Sequence, residues 1–469
     1  MRYWRGRAGL RAGAYRLLVF VAIVLGLGSE SADGGERAID GAYQAAEIFP
    51  AVGEHVHGST IVELPTGDLL AAWFQGTGER QADDVRIMGS RLSVGATQWS
   101  EPFLMADTPG FPDINPILFL DAKDRLWLMW YTVIANQWET SLLKYRISED
   151  HSVRSGPPKW AWQDVLHVKP GDSSEWGVQP GDRFVRSIER QIEEYASYLQ
   201  KEVYASQPVQ GTVAVGLWKT HGAQLLAKAR GEDMISRGRL RTETGETINK
   251  DLGYAYFQRM GWQTKNKAVL LEGGRLIVPL YSDGFSFSLM AITDDNGATW
   301  QFSEPLVAAG NIQPTIARKA DGTLVAYMRD NGVAPQRLHV STSADKGMTW
   351  SPVRDSQVPN PGSGADLVTL RNGHWVLAYN DTEEGRHSLA VSLSLDEGKT
   401  WPHTRHLERY EPSAGPTAAY PSIIQAADGS LHVVYSYRRP NVGQTIKHVR
   451  FTESWLTSER LMSFDEQNR

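Results

Sequence analysis

The segments "TDDNGATW" (293–300), "SADKGMTW" (343–350) and "SLDEGKTW" (394–401) write Ser/Thr-x-Asp-x-Gly-x-Thr-Trp three times, about fifty residues apart. In such a box the Asp can accept backbone N–H bonds of its own turn. The Gly can take a positive φ, and the Trp can pack between adjacent sheets. Asp295, Asp345 and Asp396 therefore read as fold staples and not as catalytic carboxylates.

Ahead of each box lies a turn followed by an apolar strand: "EGGRLIVPLY" (272–281), "ADGTLVAYMR" (320–329) and "RNGHWVLAYN" (371–380). The same hairpin recurs as "PTGDLLAAWF" (65–74), "AKDRLWLMWY" (122–131) and "ADGSLHVVYS" (427–436), where the following box is degraded or absent. Six units of about fifty residues, each too small to bury its own faces, close into a radial array. The expected fold is all-β, a six-bladed β-propeller over residues 50–455. Between the second and third hairpins the spacing is about three times the usual one. Residues 160–262 there lack the strand–turn rhythm, and 182–205 set Phe184, Val185, Ile188, Ile192, Tyr195 and Leu199 on one helical stripe. This predicts a helical insertion between blades 2 and 3, packed as a lid on one side of the array and able to border a site.

The composition excludes some partners. A net charge of −6 without a clustered basic excess beyond the N-terminus argues against a nucleic-acid surface. The N-terminus itself is arginine-rich without an acid, continues into the apolar run "LLVFVAIVLGLG" and reaches Ser29 and Ser31. That is the pattern of a signal peptide over residues 1–31, with export to the periplasm or the medium. The apolar run is shorter than the roughly 20 residues of a spanning helix, so no stable membrane anchor is expected after cleavage. With no Cys in the chain, neither a lipoprotein nor a disulfide framework is possible, and stability has to come from a large core. His55 and His57 are the closest His pair, but no third ligand accompanies them, so neither a metal nor another cofactor is expected.

A propeller's innermost strands begin around one end of its axis, where six side chains can converge. The openings "HVHGSTIVEL" (55–64), "DINPILFLD" (113–121), "KNKAVLLE" (265–272), "IQPTIARK" (312–319), "GADLVTLR" (364–371) and "YPSIIQA" (420–426) all begin polar and turn apolar. Asn115, Gln313 and Tyr420 each precede a Pro, which a strand tolerates at its start, and so share one position. Together His57, Asn115, Lys265, Lys267, Gln313, Asp366 and Tyr420 form a candidate polar ring. Arg329, and Arg438 with Arg439, follow the second strands of their repeats, where a guanidinium could fork onto a carboxylate. An acidic carbohydrate is the ligand this arrangement suggests.

Three intact boxes on a six-repeat array resemble the sialidase (neuraminidase) superfamily, specifically its BNR-repeat members, over residues 50–455 apart from the insertion. The resemblance implies three arginines on the substrate carboxylate, a Tyr nucleophile polarised by a Glu, and an acid/base Asp on a first-blade loop. Carried over, Tyr420 in "AAYPSII" matches the Tyr motif, Asp84 (with Asp83 its rival) the loop Asp, and Arg329 and Arg438 two arginines. The chain departs from the family at two points. "VHGST" puts His57 near the first arginine's place, and "PNPGSGADLV" supplies no Glu at the fifth blade, leaving Asp366, Glu383 or Glu384 as substitutes. The implied activity is an exo-alpha-sialidase-type hydrolysis of an acidic sugar at the axial pocket. A His/Tyr pair acting on a uronate-containing glycan would instead make a polysaccharide lyase. A propeller that only binds carbohydrate is the third class, since fold does not fix function.

Overall fold

The computed structural model describes residues 43–172, 178–179, 181–230, 260–332 and 336–458, with the backbone of 237–241 and 247–251. The expected signal peptide lies outside these residues. Among the described residues, six antiparallel sheets of four or five strands follow one another along the chain as blades. Blades 1, 2, 4 and 5 are simple meanders, starting at His55–Glu63, Asp113–Leu120, Asn311–Arg318 and Asp366–Thr369. Blade 6 runs Thr417–Gln425, Leu431–Arg439, Gly443–Phe451 and takes its fourth strand, Tyr43–Glu47, from the opposite end of the chain. That strand precedes the boundary at residue 50 expected from the repeat. Its pairing with Gly443–Phe451 makes it the outer strand of blade 6 and joins the two ends of the propeller chain in one sheet, which closes the ring.

The boxes act as the sequence suggests. Asp295 accepts from Thr299 N at 2.8 Å and Thr299 Oγ1 at 2.6 Å, and Asp345 and Asp396 repeat the pattern with Thr349 and Thr400. Those bonds hold the Asp295 and Asp396 carboxyls down to about 2. The two residues before the Thr-Trp step's x position, such as Asn296 (φ 59°) and Gly297 (φ 89°), are both left-handed, the signature of a type I′ turn. Each box leans on the preceding blade: Trp300 meets Trp127 at 6.3 Å, and Trp401 meets Tyr327 at 6.2 Å. Trp350, buried and donating to Gly347 O at 3.0 Å, is the most enclosed wedge of the three. Trp350→Ala is expected to cost about 3–5 kcal/mol of stability. Denaturant melts read this, and a shift below about 1 kcal/mol would contradict the wedge role.

The insertion is helical but narrower than residues 160–262. Trp162–Val165 completes blade 2 and Trp262–Gln263 opens blade 3. Between them run helix α1, Arg183–Tyr198, and helix α2, Pro208–Arg230, with a short antiparallel pair Arg237–Arg241 and Thr247–Asp251. Phe184, Val185, Ile188, Ile192 and Tyr195 are all buried, as the stripe requires. Phe184 packs 5.9 Å from Phe285, Gln191 donates to Pro305 O at 2.7 Å, and the Tyr198 hydroxyl accepts from Asp355 N at 3.1 Å. The pair thus caps blades 3 and 4, with Trp218 of α2 bonded to Ile192 O at 2.8 Å.

Candidate functional site

Four inner strands carry the same irregularity near their start. Pairing slips by one residue between His57 and Thr60, Ile114 and Ile117, Ile312 and Thr315, and Ala419 and Ser422. Each is a β-bulge whose extra residue is left-handed: Gly58 (φ 64°), Asn115 (φ 45°), Gln313 (φ 55°) and Tyr420 (φ 56°). In three of them the next residue is Pro, which lacks the N–H that a ladder would use and disfavours helical backbone at the residue before it. Holding Asn, Gln and Tyr there costs on the order of 1–3 kcal/mol each, strain of the kind that collects at functional sites. Blade 1 uses Gly because a Cβ at 58 would lie 2.4 Å from Asn115 Oδ1. The shared position is therefore Gly58, Asn115, Gln313 and Tyr420, with His57 one residue earlier.

The bulges aim their side chains at one another. The Tyr420 hydroxyl oxygen accepts from Arg329 Nη1 at 2.8 Å and from Gln313 Nε2 at 3.0 Å. Arg329 Nη1 also donates to Gln313 Oε1 at 3.4 Å, which fixes the amide's orientation. Gln313 Nε2 and Asn115 Nδ2 both reach the Tyr281 hydroxyl at 3.4 Å, and Asn115 Nδ2 reaches that of Tyr131 at 3.2 Å. Burial pushes the Tyr281 and Tyr131 phenols well up, so both are neutral. Around the Tyr420 ring stand His57 (ring centroids 4.2 Å), Arg386 (5.2 Å to the ring) and Lys265 (5.5 Å). Burial first, then the neighbouring Arg386, His55, Lys265 and Arg329, holds His57 well below its ordinary value and hence neutral.

Blade 3 supplies the scaffold. Its inner strand is broken between Trp262–Gln263 and Val269–Leu270, and the residues between leave the ladder and bond to other blades. Thr264 Oγ1 donates to Asn115 O at 2.9 Å and Lys265 Nζ to Pro421 O at 2.6 Å. Asn266 Nδ2 donates to Gln313 O at 3.2 Å and Pro314 O at 3.0 Å. One short segment thereby holds the bulge carbonyls of blades 2, 4 and 6. Burial pulls the Lys265 ammonium down to about 7, a fall that Asp366 opposes and Lys267 reinforces. Asp366 is fully buried and accepts from Lys267 Nζ at 2.6 Å, Thr315 Oγ1 at 2.8 Å, and the backbone N–H groups of Leu367 and Ile423 at 2.9 Å. Lys267 and Asp366 are thus a tie between blades, engaged with each other rather than open to a ligand. Gly364 is confined too, since a Cβ there would lie 2.8 Å from Lys265 Cε and 3.1 Å from Gln313 Oε1. No acidic side chain has room at that point of blade 5.

Two expected members lie elsewhere. Asp84 is exposed, and its oxygens take Thr77 N at 3.1 Å and Thr77 Oγ1 at 2.9 Å, closing its own loop. Burial raises its carboxyl, but the Thr77 bonds together outweigh it and the net shift is downward, the wrong direction for a proton donor. Asp83 is equally exposed and accepts from Asn136. Arg438 is exposed at the blade 6 rim, opposite Thr417. Arg439 pairs with Glu47 at 2.7 Å. Of the suggested partners for Tyr420, Asp366 is committed as above, Glu383 pairs with Arg337 and Glu384 is exposed. Arg386, which does not stand out in the sequence, comes instead from the blade 5 loop after Tyr379 and donates to Gly362 O at 3.1 Å. His55 is paired with Glu79 at 3.1 Å.

The result is a buried phenol whose oxygen faces two donors, with two guanidiniums and a neutral imidazole around it. Such a site receives an anion, and negative charge developing on Tyr420 Oη would be met by preorganised donors.

A family model described as a BNR repeat-like domain matches residues 67–171 and 206–433. An anhydrosialidase from Macrobdella decora is 27% identical over 137 residues, which is 28% of this chain and 17% of that protein. The match thus spans under a fifth of the relative's length. Among solved structures, a protein of unknown function from Dyadobacter fermentans is 13% identical with a TM-score of 0.55, the alignment covering 87% of this chain and 98% of that one. The intramolecular trans-sialidase of Ruminococcus gnavus, solved with oseltamivir carboxylate, is 14% identical with a TM-score of 0.52, covering 89% and 99%. At these identities the likeness is one of fold, the six-bladed β-propeller.

Proposed function

The chain belongs to the BNR repeat-like family, in the sialidase-like superfamily, and from that premise we propose that it is a sialidase-type glycoside hydrolase acting on a carboxylated sugar at the axial pocket. The observation that carries this reading is the Tyr420 hydroxyl, set on a strained bulge and bonded by Arg329 and Gln313. Arg329 and Arg386 hold the sugar's carboxylate by charge-assisted bonds. Tyr420 Oη attacks the anomeric carbon, and the neutral His57 imidazole takes the phenolic proton. Gln313 stands where a carboxylate partner of the Tyr would serve, and His57 compensates as base. The arginine-rich, apolar N-terminus supports an exported protein whose substrate lies outside the cytoplasm.

Product analysis on sialosides and uronate-containing glycans tests the reading, since hydrolysis releases the free acidic sugar. Arg329→Met is expected to lower kcat/KM on the order of 10²-fold, because a charge-assisted bond is lost to substrate and to Tyr420 together. An unaltered kcat/KM would remove Arg329 from the site.

A second reading is favoured by one observation, the neutral His57 ring 4.2 Å from that of Tyr420. On a uronate such a pair can remove the C5 proton while the cations neutralise the carboxylate, giving β-elimination and a 4,5-unsaturated product that absorbs in the ultraviolet. His57→Ala should lower either reaction, since both use the imidazole as base, so the ultraviolet-absorbing product is what separates them.

A further inference from the structure

We propose that Asp283 is the carboxyl that protonates the leaving oxygen and later deprotonates the attacking water, an assignment that rests on the hydrolase reading above. Asp283 follows Tyr281 by two residues at the end of the strand Leu276–Ser282, on the rim from which Tyr281 reaches Gln313 and Asn115. It is half-buried, so part of its surface remains open while protein surrounds the rest. Its own N–H is fixed by Gln263 Oε1 at 3.0 Å, one residue ahead of the segment that bonds to blades 2, 4 and 6.

The groups facing Asp283 come from several elements, and the buried Tyr281 and Tyr131 phenols of blades 3 and 2 are among them. Blade 4 supplies Arg329, the guanidinium already on the Tyr420 oxygen. Arg80 comes from the blade 1 loop and Glu139 from the short turn after blade 2's second strand. That loop and turn are locked together, with Arg80 stacked 5.0 Å over Trp138 and Asn136 Nδ2 on Arg80 O at 2.7 Å. From the insertion, Lys228 donates to Gly284 O at 3.0 Å and pins the next peptide. Burial pushes the Asp283 carboxyl up to about 6, while Arg329 and the Gln263 bond oppose the rise, Glu139 adds to it and Arg80 opposes it. A carboxyl in that range is protonated in part near neutrality and can both give and take a proton. Asp84 meets neither requirement, since it is exposed and its oxygens are engaged by Thr77.

The proton balance closes with groups present at the site. In the first step the anomeric C–O bond breaks and its electron pair goes to the glycosidic oxygen, which takes the proton of Asp283. Tyr420 Oη bonds to the anomeric carbon as its proton passes to His57. In the second step a water oxygen bonds to that carbon and gives a proton to the Asp283 carboxylate. Tyr420 leaves with the bond pair and recovers its proton from His57.

The test compares wild type, Asp283→Asn, Asp283→Glu and Asp84→Asn on an alkyl sialoside and on an aryl sialoside whose phenol leaves without protonation. Asp283→Asn is expected to lose about 10²–10⁴-fold in kcat/KM on the alkyl substrate and under tenfold on the aryl one. In wild type kcat/KM on the alkyl substrate should fall as pH rises past about 6, where the acid ionises, and this limb should vanish in Asp283→Asn. Asp283→Glu should restore part of the alkyl activity, which separates acid chemistry from a folding defect. An active wild type whose Asp283→Asn variant loses both substrates alike, or neither, overturns the assignment alone. The assignment also falls if the leaving-group-dependent loss belongs to Asp84→Asn. A wild type inert toward every acidic glycoside overturns the hydrolase reading and this assignment with it.

Discussion

Tyr420→Phe lowers kcat on the acidic substrate by about 10³-fold or more while leaving KM within a few-fold of wild type. The substitution removes a single oxygen, the one that accepts from Arg329 Nη1 and Gln313 Nε2. Arg329 keeps Asn331 Oδ1 at 2.7 Å through its other nitrogen, and Gln313 keeps Tyr281. The cations that hold a carboxylate therefore stay in place, and binding survives. The ring, the left-handed backbone and Pro421 are unchanged, so the melting temperature should move little. Transition-state stabilisation and ground-state binding are thereby separated, as expected for a group that acts only during bond making. A Tyr420→Phe enzyme with full turnover would remove Tyr420 from the chemistry. A variant that melts early and loses substrate affinity in parallel would make it a structural hydroxyl instead.

Asp366→Ala destabilises the propeller by about 3–5 kcal/mol, the range for breaking a buried ion pair by deleting one partner. The fully buried carboxylate satisfies Lys267, Thr315, Leu367 N and Ile423 N, which belong to blades 3, 4, 5 and 6. Without it the Lys267 ammonium is left beside Leu367 O, and two backbone N–H groups lose acceptors in the interior. Lys267→Met in the same background should recover part of the loss, because it removes the stranded charge. Urea melts of the single and double variants measure both terms. A cost below about 1 kcal/mol for Asp366→Ala would show that the tie contributes little.

The axial group is only partly legible in the sequence, and the division follows from how far apart the determining residues are. Tyr420, Gln313 and Asn115 stand out because the strand-opening X-Pro step is local: the proline marks a place where the ladder is interrupted, and the interruption turns the side chain. Gly58 does the same without a proline, so the sequence points to His57, one position before the common place. Arg329 is legible from its position in the hairpin. Arg386 is not, because a loop cation's reach depends on the path of the blade 5 loop that brings it to the Tyr420 ring, and nothing periodic records that. Asp84 sits at a matching position in its loop, but its own Thr77 captures the carboxylate, a competition that depends on the loop's path.

At the level of the fold, the amino-acid sequence by itself determined the six-bladed array, the box turns and the helical insertion. Each of these rests on signals among near neighbours that repeat along the chain: a turn pair that accepts positive φ, an apolar alternation, a helical stripe. Only the tertiary structure decided which strand closes the ring, that Thr264–Asn266 bonds to three other blades, and that Lys267 and Asp366 are spent on each other. Those outcomes join residues far apart in the chain, 156 positions in the case of Lys265 and Pro421. Such partners leave no local pattern, because a buried donor is matched to whichever acceptor the closed ring brings within hydrogen-bond distance.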